Sequence, residues 1–154
     1  MSTKAQTVDR ARRFPLADVI KRYSVEQRLP LSIAQEHFRE LKRYLALCAL
    51  APNARYPMTI PIDDAWHTFL LYTERYAKFC AVVGGRFIHH HPKKPMKNDT
   101  TAERKAYLEF MRAYERTFGE PPSATYWPRL HADGCTPCNH CRGGTCSRCS
   151  SRCD

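Results

Sequence analysis

The stretch between Pro30 and Pro52 constrains the fold more than any other. Ala34, Phe38, Leu41, Leu45 and Cys48 recur at helical spacing, so one face of a long helix is buried. Ser32 followed by Gln35 reads as a capping box, in which each side chain satisfies a free backbone N–H of the first turn. Pro52-Asn53 then ends the helix near residue 50. An element of this length needs apolar partners, and the rest of the chain offers further helices of the same kind.

Leu16 to Arg28, with Val19, Ile20 and Tyr23 on one side, forms an amphipathic helix stopped by Pro30. Segment 54–62 carries Pro57 and Pro61, which remove backbone donors and fix φ, and is expected to run as an extended connector. Asp63 or Asp64 can cap a helix with Trp66, Phe69 and Leu70 on its apolar stripe, and Thr73 can cap another with Tyr76, Phe79, Cys80 and Val83. Gly84-Gly85 supplies a left-handed stop. Thr100 and Glu103 form a second capping box, opening a helix with Tyr107, Met111, Tyr114 and Phe118 on one face and Gly119 past its end. The sequence EPPSATYWPRL is irregular, pinned to the helices by Tyr126 and Trp127. No strand pattern of comparable strength occurs. The expected fold is therefore all-α: a single small domain of about five helices, with Pro-rich connectors and an irregular cysteine-rich tail. Its parts are a basic N-terminal arm over 1–14, a helical domain over 15–131 and the tail over 132–154.

At 154 residues, 43% of them hydrophobic, the chain can bury a core without disulfides. The longest apolar run, Tyr44 to Ala51, is far short of the ~20 residues that span a bilayer, so no membrane insertion is expected. The N-terminus lacks the apolar segment of a secretory signal, which assigns the protein to a reducing cytoplasm. The net charge of +10 is concentrated in residues 1–55, with 11 basic and 5 acidic groups. Nucleic acid is thereby a possible partner. Arg39, Lys42 and Arg43 lie among Glu36 and Glu40, however, as on an ordinary solvated helix face, and no zinc-finger, KH-type or RNP-type signature is present.

The chemistry-bearing residues fall in two groups. In the body, Asp63 and Asp64 precede His67 by four and three residues, so both carboxylates can share its helix face and hold its imidazole. Cys80 and then His89, His90 and His91 follow, with a glycine turn between them that can bring the group together. Imidazole and thiolate donors suit zinc, which takes four N or S ligands tetrahedrally. His67, Cys80, His89 and His90 are thus candidate metal ligands, with Asp63 and Asp64 as their supporting carboxylates. A nucleophilic role for Cys80 is weaker, because a thiolate late in a helix opposes the helix dipole.

In the tail, the spacing C-x2-C-x2-C-x4-C-x2-C-x3-C holds two C-x2-C pairs, Cys135/Cys138 and Cys146/Cys149, each able to chelate a metal. Zinc is favoured there over an iron–sulfur cluster, whose C-x3-C-P ending is missing: Thr145 precedes Cys146 and no proline follows it.

Asp64-Ala65-Trp66-His67-Thr68, Tyr76 before Phe79-Cys80, and Gly85-Arg86-Phe87-Ile88-His89-His90 with Pro92 resemble the glycine-rich domain-containing protein-like family. So do residues 31–50 and the segment from Tyr114 to Trp127-Pro128, and the likeness covers roughly residues 15–130. The resemblance implies a small helical domain with His67, Cys80, His89 and His90 at marked positions, and implies no catalytic activity. Phe69 departs from the pattern, standing where many members carry a second histidine. The expected function is that of a metal-binding, zinc-preferring accessory or interaction protein with an unknown protein partner. A small metalloenzyme and a basic nucleic-acid-binding module are the alternatives.

Overall fold

A computed structural model of the chain describes residues 3–91 and 100–129. The fold is all-helical, as expected, with six helices and no strand among the described residues. They are α1 (Lys4–Arg13), α2 (Ala17–Glu26), α3 (Leu31–Leu50), α4 (Ile60–Leu70), α5 (Thr73–Gly84) and α6 (Thr100–Phe118). None of them is long and apolar enough to cross a membrane. The helices fall into two compact units. Among the described residues, the first comprises 3–54 and 61–91, and the second 55–60 and 100–129.

In the first unit α3 is the central element and packs against α1, α2 and α5. Its buried positions, including Ala34, His37, Phe38, Glu40, Leu41, Tyr44, Leu45 and Leu47, go well beyond a single stripe, as expected for a helix covered on several sides. Aromatic rings fill the space around it. Tyr23 meets Phe38 edge-on at 5.4 Å between centroids, Phe14 meets Phe79 at 5.2 Å, and Tyr44 meets Trp66 at 5.8 Å. The ammonium of Lys42 on α3 donates to the Phe14 carbonyl at 2.6 Å and the Arg12 carbonyl at 3.2 Å, satisfying the end of α1.

Four helix starts differ from the sequence reading. The stretch taken as a basic arm is the helix α1. Its first turn is closed by a capping box in which the Gln6 N–H donates to Thr3 Oγ1 at 3.3 Å and the Thr3 N–H donates to Gln6 Oε1 at 2.9 Å. The capping box expected at Ser32 is absent, because α3 starts at Leu31, two residues before a helix capped by Ser32 would start. Pro30 is its N-cap, and the Pro30 carbonyl accepts from the N–H groups of Ile33 and Ala34. Likewise α4 begins at Ile60, so Asp63 sits inside its first turn rather than capping it, and α5 follows Tyr72 with no side-chain cap from Thr73. The glycine stops are as expected: Gly85 has φ +70° and Gly119 φ +75°.

The second unit is built on α6. Phe110, fully buried, packs on Trp127 in a tilted pair at 4.3 Å between centroids and meets Tyr56 edge-on at 5.7 Å. The Tyr107 hydroxyl donates to the Pro128 carbonyl at 2.6 Å, and burial raises its pKa. The segment after Gly119 is therefore pinned to α6 by Trp127, as its composition suggested. Tyr126 is buried too.

Two predictions follow from the packing of the first unit. Gly84 lies against α3 so closely that an added Cβ would sit 2.9 Å from the Ala49 Cβ. Gly84→Ala should therefore lower unfolding free energy by ~1–3 kcal/mol, the usual cost of overpacking, in a urea titration. His37 is buried, its Nδ1 2.8 Å from the Tyr23 hydroxyl, and burial lowers its pKa. The folded state thus favours the neutral ring. Its contribution to stability is complete above about pH 6.5 and is lost as pH falls through the lowered folded value. Urea midpoints at pH 7.5 and 5.0 should differ less in His37→Gln than in the wild type.

Candidate metal centre

Helix α4 carries Asp63 and His67 four residues apart, so both project from one face. The strap after α5, residues 86–91, returns along this face and delivers His90. The His90 Nε2–H donates to Asp63 Oδ1 at 2.7 Å, and His67 Nε2 lies 3.8 Å from the same oxygen. The two imidazole rings are 4.7 Å apart, centroid to centroid. Among the described residues these three form a group of potential ligands whose donor atoms all lie within 4.8 Å of one another. His67 is 57% exposed at its side chain while His90 is 12% exposed, so the cluster is backed by protein on one side and open on the other.

The strap is anchored at three points. The Arg86 guanidinium donates to the carbonyls of Ala49 at 2.9 Å and Cys48 at 3.4 Å, at the C-terminal end of α3, where a cation also suits the helix dipole. The Ile88 N–H donates to Cys80 Sγ at 3.5 Å, and the Ile88 carbonyl accepts from the Tyr76 hydroxyl. That hydroxyl in turn accepts from Trp66 Nε1 at 3.1 Å, and the indole packs edge-on against the His90 ring at 4.4 Å. Burial raises the Tyr76 and Cys80 pKa values, so both groups stay protonated near neutral pH.

The sequence-derived candidates therefore separate. His67 and His90 converge. Asp63, expected as a supporting carboxylate, lies within the same group, its Oδ1 close to both rings. Cys80 lies apart from the cluster: it is fully buried, and its sulfur accepts the Ile88 N–H. His89 is exposed and packs on Phe87, 5.0 Å between ring centroids, because side chains alternate along the extended strap and Ile88 and His90 take the inner side. His91 is exposed. Asp64, one step along α4, feels His37 as well as His67. Burial and the neighbouring Asp63 charge raise its pKa, and its own charge adds to the burial that lifts Tyr23 to about 12. The tail candidates Cys135, Cys138, Cys146 and Cys149 lie outside the described residues.

Sequence reasoning missed Trp66 and Tyr76 as the groups surrounding His90. Their signal was present as a Trp next to His67 and a Tyr four residues before Cys80, and was absorbed into the apolar stripes of α4 and α5.

No curated protein and no solved structure matches the chain. The family comparison matches residues 4–132 to the UCP032817-like family. This finding overturns the resemblance to the glycine-rich domain-containing protein-like family, since the family model that matches most of the chain is a different one. The match includes α1 and stops before the first tail cysteine, Cys135. The chain belongs to the UCP032817-like family.

Proposed function

We propose that this protein binds a divalent transition-metal ion, zinc foremost, through Asp63 Oδ1, His67 Nε2 and His90 Nε2, and serves as a metal-binding accessory protein. The observation that carries the reading is the convergence of two imidazoles and a carboxylate, from a helix and a strap, within 4.8 Å. Zinc bonds of ~2.0–2.1 Å at tetrahedral angles separate adjacent donors by ~3.3 Å. The present separations of 2.7 and 3.8 Å from Asp63 bracket that value, so small side-chain movements suffice. The carboxylate now accepts the Nε2 proton of His90, and binding replaces that proton with the ion.

Three protein donors leave at least one position on the ion for water or a partner's side chain, on the side where His67 is exposed. That open side is also what a small metalloenzyme would need, since a zinc-bound water becomes a nucleophile. Asp64, the next carboxylate along α4, is the group at hand as a base in that reading. The two C-x2-C pairs of the tail are proposed as a second, thiolate-based zinc site.

The test is metal titration of the reduced full-length chain beside a variant with Cys135, Cys138, Cys146 and Cys149 changed to Ser. The serine variant should retain one equivalent of Zn²⁺. Its Co²⁺ form should lack the near-ultraviolet thiolate charge-transfer band that the wild type shows. Adding His67→Ala and His90→Ala should abolish the remaining binding. At a free Zn²⁺ concentration 100 times Kd, the serine variant should gain about 2.7 kcal/mol of stability, read as a rise in Tm. A serine variant that holds no metal overturns the body site.

A further inference from the structure

We infer that Tyr76 is a positioning residue for the metal centre, its hydroxyl presenting His90 to Asp63 and His67. The inference rests on the metal-binding reading above. His90 comes from a strap outside any helix, so its place is not fixed by an intrahelical ladder as those of Asp63 and His67 are. Something else must hold it, since the sum of small torsional freedoms over residues 86–90 would otherwise spread its Nε2 over several ångströms.

The buried Tyr76 hydroxyl is the point where the two constraints on His90 meet. As a donor it holds the Ile88 carbonyl, two residues upstream on the same side of the strap. As an acceptor it holds Trp66 Nε1, and Trp66 presents its ring to the His90 imidazole at 4.4 Å. One atom thus fixes both the backbone that carries His90 and the wall against which its ring rests. Tyr76 is only 1% exposed and Trp66 3%, so neither bond is exchanged for water at low cost. Cys80 completes the grip by accepting the Ile88 N–H, so both backbone polar groups of one residue are held from α5. This gives the order of polar groups along α5, hydroxyl at 76 and sulfur one turn later at 80, a purpose that neither metal ligation nor nucleophilic chemistry supplies.

Tyr76→Phe keeps the ring in the core, where it meets Phe69 at 5.1 Å and Phe87 at 5.3 Å, and removes only the hydroxyl. The experiment uses the full-length chain with Cys135, Cys138, Cys146 and Cys149 changed to Ser as the parent, and compares Tyr76→Phe, Cys80→Ala and Val83→Ala. Val83 is buried on the same helix and makes no bond to the strap, so it controls for lost stability. Each is titrated with Co²⁺ and with Zn²⁺, and its folding is checked by circular dichroism. Tyr76→Phe is expected to weaken binding about ten-fold and to change the Co²⁺ d–d spectrum, the effect of losing a group that orients a ligand. Cys80→Ala should weaken it in the same direction, and supplies the test if Tyr76→Phe does not fold. Val83→Ala should bind within two-fold of the parent. Parental affinity in a folded Tyr76→Phe, alongside loss of binding in His90→Ala, overturns the inference and leaves the metal site standing. Equal weakening in Val83→Ala also overturns it, by reducing the effect to lost stability. A parent that binds no metal overturns the metal-binding reading itself, and the inference with it.

Discussion

Burial of α3 on several sides is the constraint on which the first unit depends. A helix with Phe38, Leu41, Leu45 and Leu47 all inaccessible must be surrounded, and α1, α2 and α5 do so. Two polar residues on it, His37 and Glu40, are buried as well. Each must be satisfied by its surroundings, because an unpaired buried polar group costs ~1–3 kcal/mol. His37 does this with Tyr23, whose hydroxyl also reaches the Pro61 carbonyl at 3.3 Å, while Glu40 lies 3.8 Å from Arg39 and 3.9 Å from Arg43. The packing of α2 on α3 is thereby tied by polar contacts to the start of α4, the helix that carries the candidate ligands.

Most of the fold was legible because periodicity and punctuation agreed. Helices α2 to α6 follow from apolar spacing and from the glycines at 85 and 119. The helix α1 was missed for a physical reason: only Thr7 and Ala11 of its ten residues are buried, so there is almost no apolar stripe to read. The signal that could have found it is Thr3 with Gln6, a capping box of the same form as the Ser32 and Gln35 pair. The two matches to one pattern had opposite outcomes. The backbone carbonyl opens the first turn in both places, from Pro30 to the Ala34 N–H and from Thr3 to the Thr7 N–H; the N-cap proline of α3 has no polar side chain to add, whereas Thr3 adds its hydroxyl.

The candidate site was legible in its histidines and not in their company. His67 and its i−4 carboxylate follow from helical geometry alone. Which of three consecutive histidines turns inward depends on the register of an extended strap, and that register is set at Ile88 by groups from α5, which no local pattern encodes. Cys80 was read as a ligand because thiolates bind zinc. Its sulfur is instead occupied by a backbone N–H, in a buried place that keeps it a thiol. Asp63 and Asp64 look equivalent in sequence, but one step along a helix turns a side chain by ~100°, and only Asp63 reaches both imidazoles.

The strap also restricts how this chain can vary. Connecting segments ordinarily accept insertions and deletions, since few of their atoms are committed. Here Arg86 is tied to the end of α3, Ile88 to α5 and His90 to α4, at intervals of two residues. Each interval spans at most ~7 Å of extended chain, so no slack can be redistributed. A single added or deleted residue between Gly85 and His90 would reverse the alternation and turn the wrong histidine inward. Its length is thus as fixed as that of a core helix, although it has no helix or strand of its own.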